Sequence, residues 1–353
     1  MAVRFGIRIP ACERLREVVR AARAAEAGGF DTVWTLDSPL LAGRLLDPYV
    51  ALTLCAQATA RARIGVAVTN PVTRHPAATA AAALSLDEVS GGRLLLGIGS
   101  GDSAMRTLGL AGADEAGTHG TRRDALREAV HVLRTIFRGE TVTFRGKEFR
   151  VAEARPQIPI YIAATGPKML DLAGEIADGA IIQVGIYRPC VEWALGVIRR
   201  GAEKAGRDFR QIDIVCSTFT AVGEDKRLAT DRARPLTAWF YGVAPDLLKM
   251  AGIAVTRRTP LHSVYPDISH PLDHDEAMAE ATKYVADEAV EKFCLVGPPA
   301  ECVRRIRDLA NVGVHEIFFR HYLTYSIPHD LIAVASGSIL PAFRRSKYEE
   351  TEP

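Results

Sequence analysis

Residues 64–104, IGVAVTNPVTRHPAATAAAALSLDEVSGGRLLLGIGSGDSA, decide how the chain folds. Residues 64–68 (IGVAV) are short, apolar and rich in valine and isoleucine, the pattern of a strand covered by helices. An alanine-rich helix follows over 77–88. Residues 93–98 (RLLLGI) form the next strand. Repeated βα units of this kind imply a parallel sheet.

The same rhythm runs outward in both directions. Upstream lie strands over 3–9 and 32–36. Helices over 13–27 and 48–59 follow them, the first stopped by Gly28 and Gly29. Downstream come a helix over 121–137 and a small hairpin from 141–143 and 148–151. Strands then fall over 158–164, 180–184 and 212–218, with helices over 169–176 and 191–205. The last strand is 315–319, with a closing helix near 330–343. About eight units in 353 residues predict a (β/α)8 TIM barrel, one domain spanning 1–353. A doubly wound open sheet is the competing arrangement. The rhythm breaks from about 250 to 287, where Pro260, Pro266 and Pro271 oppose a continuous helix. This reads as an insertion before the last barrel unit. It either shapes the substrate mouth or is a solvated excursion or dimer contact. The tail, 347–353, is expected to fray.

Composition narrows the function. A net charge of +2, with sparse aromatics not interleaved with basic runs, argues against nucleic acid or an anionic membrane as partner. Cys12, Cys55, Cys190, Cys216, Cys294 and Cys302 are scattered with no C-x-x-C pair, which predicts buried free thiols in a reducing compartment. MAVRFGIRIP has no secretory apolar core and no run is long enough to span a bilayer, so a cytoplasmic protein is expected.

Strand ends carry the candidate chemistry. After the fourth strand comes Gly97-Ile98-Gly99-Ser100-Gly101-Asp102-Ser103. Its glycines, Gly101 among them, let backbone approach a ligand. The spacing and the position in the fourth unit do not match a dinucleotide fingerprint. Asp102 either contacts a ligand or closes an Asx-turn. Thr165-Gly166-Pro167 lies between a strand and a helix, where free N–H groups make an anion site suited to a cofactor phosphate. An ordinary βα turn is the alternative. Asp37 ends the second strand, and His75 follows the third as a possible base or a loop-orienting group. His262, His270 and His274 match no standard metal spacing, so no metal is expected.

Three blocks, 68–104, 159–182 and 296–319, closely resemble the bacterial luciferase-like superfamily. Within it they are most similar to the deazaflavin-dependent branch typified by methylenetetrahydromethanopterin reductase. The resemblance implies a barrel that binds coenzyme F420 at its C-terminal face and exchanges a hydride with a small organic substrate. It also implies a homodimer. By motif position it places a non-prolyl cis peptide at Ala67-Val68, behind the ring, and Asp37 and Asn70 near it. Thr165 and Gly166 match the phosphate-end loop, and Gln183 a pocket-lining position. Asp102 matches a proton donor or acceptor of a sugar-phosphate dehydrogenase relative, a role that requires a raised pKa through burial or a second carboxylate such as Asp37. Two positions depart from the pattern. Arg8 stands where the reductase has glutamate, and Ser38 where dehydrogenase relatives have histidine. Arg8 in the mouth favours an anionic substrate or pairs with Asp37 or Asp102. The alternatives are an FMN-dependent monooxygenase of the same superfamily, and a non-catalytic flavin- or deazaflavin-binding protein.

Overall fold

The computed structural model describes residues 3–41, 45–110, 121–154, 157–258 and 282–344. The strands in chain order are β1 (Arg4–Arg8), β2 (Thr32–Thr35), β3 (Arg63–Thr69), β4 (Leu94–Ile98), the hairpin β5 (Val142–Phe144) and β6 (Lys147–Phe149), β7 (Ile160–Ala164), β8 (Gly179–Ile182), β9 (Asp213–Val222), β10 (Leu295–Gly297) and β11 (Glu316–His321). The helices used below are α2 (Pro48–Ala58), α3 (Pro76–Ser90), α4 (Asp102–Thr107), α5 (Arg122–Phe137), α6 (Pro167–Ile176) and α8 (Lys226–Val243), numbered with α1 (Leu15–Gly28) and α7 (Arg188–Lys204).

Eight parallel strands close into a ring in the order β1-β2-β3-β4-β7-β8-β9-β11, with β11 returning to β1. This is the expected (β/α)8 barrel. The short β10 adds to the far end of β9, at Thr220 to Val222, and was not expected from the sequence. The expected hairpin is present. The histidines of the irregular stretch, and the tail, lie outside the described residues. None of the described helices is long and apolar enough to cross a membrane. None of the six cysteines is in a disulfide, and all but Cys12 are buried.

Strand alternation sorts side chains into an outer core beneath the helices and an inner column. The column has three levels. At the N-terminal end it is ionic. Glu316, fully buried, accepts hydrogen bonds from Trp34 Nε1 at 2.8 Å, Thr32 Oγ1 at 3.0 Å and the Arg63 guanidinium. Burial pushes its carboxyl above the ordinary range, and Arg63 opposes that shift. Asp213 accepts from Tyr161 Oη at 2.7 Å and pairs with Arg4. Burial raises its carboxyl, but His315, Arg4 and Tyr161 outweigh burial and hold it well below the ordinary range. The middle level is apolar: Trp34, Leu95, Ile181, Val215 and Phe318. The indole fits over two glycines, Gly65, its register partner on β3, and Gly6, two residues before its partner Arg8 on β1; a Cβ at either would collide with it. Above it, at the C-terminal level, the site opens.

Candidate functional site

Ala67, Gly99, Ala163 and Ser217 line a cavity of about 570 Å³ at the C-terminal mouth. Two residues earlier on β7 and β9 stand the larger Tyr161 and Val215, which close the barrel below the cavity on that side. Its volume lies within the roughly 300–1,000 Å³ of small-ligand sites.

Strand β3 builds one wall. Its register against β4 slips between Val66 and Thr69, and the Ala67–Val68 peptide is cis, the latter as expected at this position. The bulge turns Ala67 and Val68 into the cavity. Val68 lies over Gly97 and Gly99, and a Cβ at either glycine would stand 2.9 Å from a Val68 methyl.

Asp37 follows β2 and is 2% exposed. Thr69 Oγ1 donates to its Oδ2 at 2.8 Å, and Arg74 Nε lies 3.6 Å from that oxygen. Its Oδ1 is buried, and no described residue hydrogen-bonds to it. Burial raises the carboxyl above its ordinary range against the opposing pull of Thr69 and Arg74. Arg74 is held in turn by Asp47 at 2.6 Å and lies over the Tyr49 ring. Ser38, beside Asp37 and lining the cavity, is 2.9 Å from Ser103 Oγ.

Asp102 lines the mouth as the first residue of α4. Its side chain is 24% exposed, and its partners are Arg122 at 3.0 Å and Arg106 at 3.3 Å. Among the described residues its ion-pair partners are these two cations. Gly101, before it, has φ +78°, and a Cβ there would press on Asn70. Asn70 is buried but is spent on its own turn: its Oδ1 accepts from the N–H groups of Val72 and Thr73, and its amide donates to Thr73 Oγ1. It supports the loop beneath the site and does not line the cavity. His75 is exposed and caps α3, its Nδ1 accepting from Ala77 N–H at 3.1 Å, which leaves it outside the site.

Across the ring, Thr165 and Gly166 line the cavity where α6 begins. Gly166 is the N-cap, no side chain caps this end, and Pro167 occupies the first turn without lining the cavity. The first N–H groups of α6 therefore stand available to an anion. Gln183 follows β8. Its Oε1 accepts from Arg320 Nη1 at 2.6 Å, and its buried Nε2 has no hydrogen-bond partner among the described residues.

Sequence reasoning missed several wall residues. Arg320 and Phe318 come from β11, and Trp239, Gly242 and Val243 from α8. A signal for α8 existed: Ala229, Ala233, Thr237 and Tyr241 recur at four-residue spacing and are buried. Pro235, inside the helix, masks it.

A closed parallel barrel with a ligand-sized cavity at its C-terminal mouth, edged by a buried carboxylate and an open helix start, is the architecture of a barrel enzyme that binds a phosphate-bearing cofactor. The sequence matches the family model for luciferase-like monooxygenases over residues 3–316, and the chain belongs to that family. It is 32% identical to the 5,10-methylenetetrahydromethanopterin reductase of Methanolobus tindarius, over 89% of this chain and 92% of that protein. It is 30% identical to an F420-dependent glucose-6-phosphate dehydrogenase of Nakamurella multipartita, over 97% of each. The solved structure of the coenzyme F420-dependent tetrahydromethanopterin reductase of Methanopyrus kandleri matches with a TM-score of 0.80 at 25% identity, covering 97% of this chain and all of that one.

Proposed function

We infer that this chain is a coenzyme F420-dependent oxidoreductase that moves a hydride between the deazaflavin and a small organic substrate. The observation that carries this is the mouth cavity, which combines unsatisfied polar atoms with an open helix start in a chain whose relatives over nearly its whole length include F420-dependent enzymes.

The residues present fit that cofactor. Asp37 Oδ1 and Gln183 Nε2 are buried on the cavity wall with no hydrogen-bond partner among the described residues, a costly state that a polar ring edge relieves. Ala67 and Val68 offer an apolar surface for a planar ring. The start of α6, with Thr165 and Gly166, suits a phosphate. When bound, the deazaflavin supplies a hydride donor or acceptor at its C5 carbon. The protein's part is to hold both reactants, exclude water and manage protons.

Asp37 is the better candidate for the proton. Its buried carboxyl, raised in pKa, can hold or move a proton at Oδ1. Asp102, clamped by Arg106 and Arg122, fixes two guanidiniums at the rim. The same reading takes the chain as one barrel domain with the segment 250–287 inserted, working as a cytoplasmic homodimer.

Calorimetric titration of the purified chain with F420 and, separately, with FMN tests the assignment. F420 is expected to bind at least about tenfold more tightly. Preference for FMN would move the protein to the oxygen-using side of its family.

A further inference from the structure

Arg8 ends β1, lines the cavity and is 4% exposed. No carboxylate among the described residues pairs with it, so neither ion pair considered from the sequence forms. Its one hydrogen bond among those residues is a long one, from Nη2 to the Thr324 carbonyl at 3.4 Å. A guanidinium carries a planar fork of donors, and burying it without a counter-charge is costly. Burial brings it down to about 10, with Tyr325 and Cys12 opposing, so it is still charged at neutral pH.

Its surroundings are also cationic. The register Ile7 to Phe319 puts Arg8 beside Arg320 on β11, which also lines the cavity. Tyr325 is close enough to feel both charges. Among the described residues the cavity wall carries four arginines, Arg8, Arg106, Arg122 and Arg320, and two aspartates, Asp37 and Asp102. Asp102 is taken by Arg106 and Arg122, and Asp37 by Arg74, which lies outside the lining.

Topology separates this corner from the other anion site. In the eight-strand ring β1 and β7 are four strands apart in either direction, so they are diametrically opposed. The open start of α6 follows β7. An anion held there cannot also neutralise a guanidinium at the end of β1.

We propose that Arg8 anchors an oxyanion group of the substrate, a carboxylate or a phosphate, against the β1 and β11 wall. Arg8 is thus a specificity-determining residue: the substrate is an anion held by its charged end, with its reacting carbon toward the centre of the mouth. This rests on the cavity being the deazaflavin and substrate site.

The test uses wild type, Arg8→Gln and Arg8→Lys, each loaded with F420 and titrated by calorimetry with inorganic phosphate and, separately, acetate. F420 affinity is expected to stay within about twofold in the variants. At least one anion binds the loaded wild type, and the better one tells phosphate from carboxylate. Arg8→Gln weakens it about tenfold or more. Arg8→Lys, a point charge without the fork, falls between and keeps the test open should the glutamine variant not fold. The inference is overturned if neither anion binds the loaded wild type or if the variants bind as tightly. It is equally overturned if substitution weakens F420 itself about tenfold, which would give Arg8 to the cofactor. Failure of wild type to take up F420 would sink the reading of the cavity and this inference with it.

Discussion

At Asp37 opposing effects meet on one carboxyl. Burial disfavours the charged form, while the Thr69 hydroxyl and the Arg74 guanidinium favour it, and burial prevails. The folded state therefore binds this proton more tightly than the unfolded chain does. Its contribution is fully present below the unfolded carboxyl pKa and is lost as pH rises through the folded one. Asp37→Asn removes that loss. The melting temperature of Asp37→Asn minus that of wild type is expected to increase from pH 4 to pH 7, and F420 affinity to fall about tenfold as an Oδ1 partner is lost. A difference that stays flat or declines with pH would show that the ionised carboxylate is the stabilised form. Asp37 is legible in the sequence because it ends a short apolar strand, which in a barrel means the mouth, and Arg8 through the resemblance, as a departure from its pattern. The partners that set their chemistry are not. Arg74 reaches Asp37 from another unit, and Arg106 and Arg122 reach Asp102 from α4 and α5. Spacing along the chain carries no trace of the Arg74 and Arg122 contacts, whereas Arg106 stands four residues from Asp102 on the same helix, a pairing that spacing does show.

Among the elements, β4 contributes mainly by absence. Its Gly97 leaves room for the bulge of β3, since a Cβ there would meet the Val66 carbonyl and a Val68 methyl. Backbone cannot yield as a flexible side chain does. Gly97→Ala is expected to cost about 1–3 kcal/mol in urea unfolding and to weaken F420 binding by displacing Val68. Unchanged cofactor affinity in a destabilised variant would separate the bulge from the site. The glycine run itself was readable, and so were the strand, the cis peptide position and the open turn before α6. Elements that escaped notice did so for local reasons. In α8 the interior Pro235 breaks an otherwise regular pattern, although the flanking turns hold. The strand β10 is three residues long and exists only because β9 runs on past the ring to receive it. The resemblance places Asn70 near the ring by motif position, and in the structure its amide closes the turn to Thr73.

Over the whole molecule the inner column grades from charge through hydrocarbon to empty space. The ionic level around Glu316 and Asp213 and the apolar level around Trp34 close the barrel from below, leaving one approach, from the mouth. That gradient follows from alternation once the barrel is assumed, and the eight-unit rhythm supplied the barrel. Its ionic floor was not anticipated, because Arg4, Arg63, Asp213 and Glu316 each look like ordinary strand-edge charges until the ring brings them together. The central claim is that the mouth cavity is where deazaflavin and substrate meet. A crystal structure of the chain grown with F420 tests it most directly. The account predicts the deazaflavin ring against Ala67 and Val68, with Asp37 Oδ1 within hydrogen-bonding distance of the ring edge and the phosphate at Thr165 and Gly166. Density for F420 elsewhere on the molecule, or inside the mouth with its phosphate at Arg8, would contradict it.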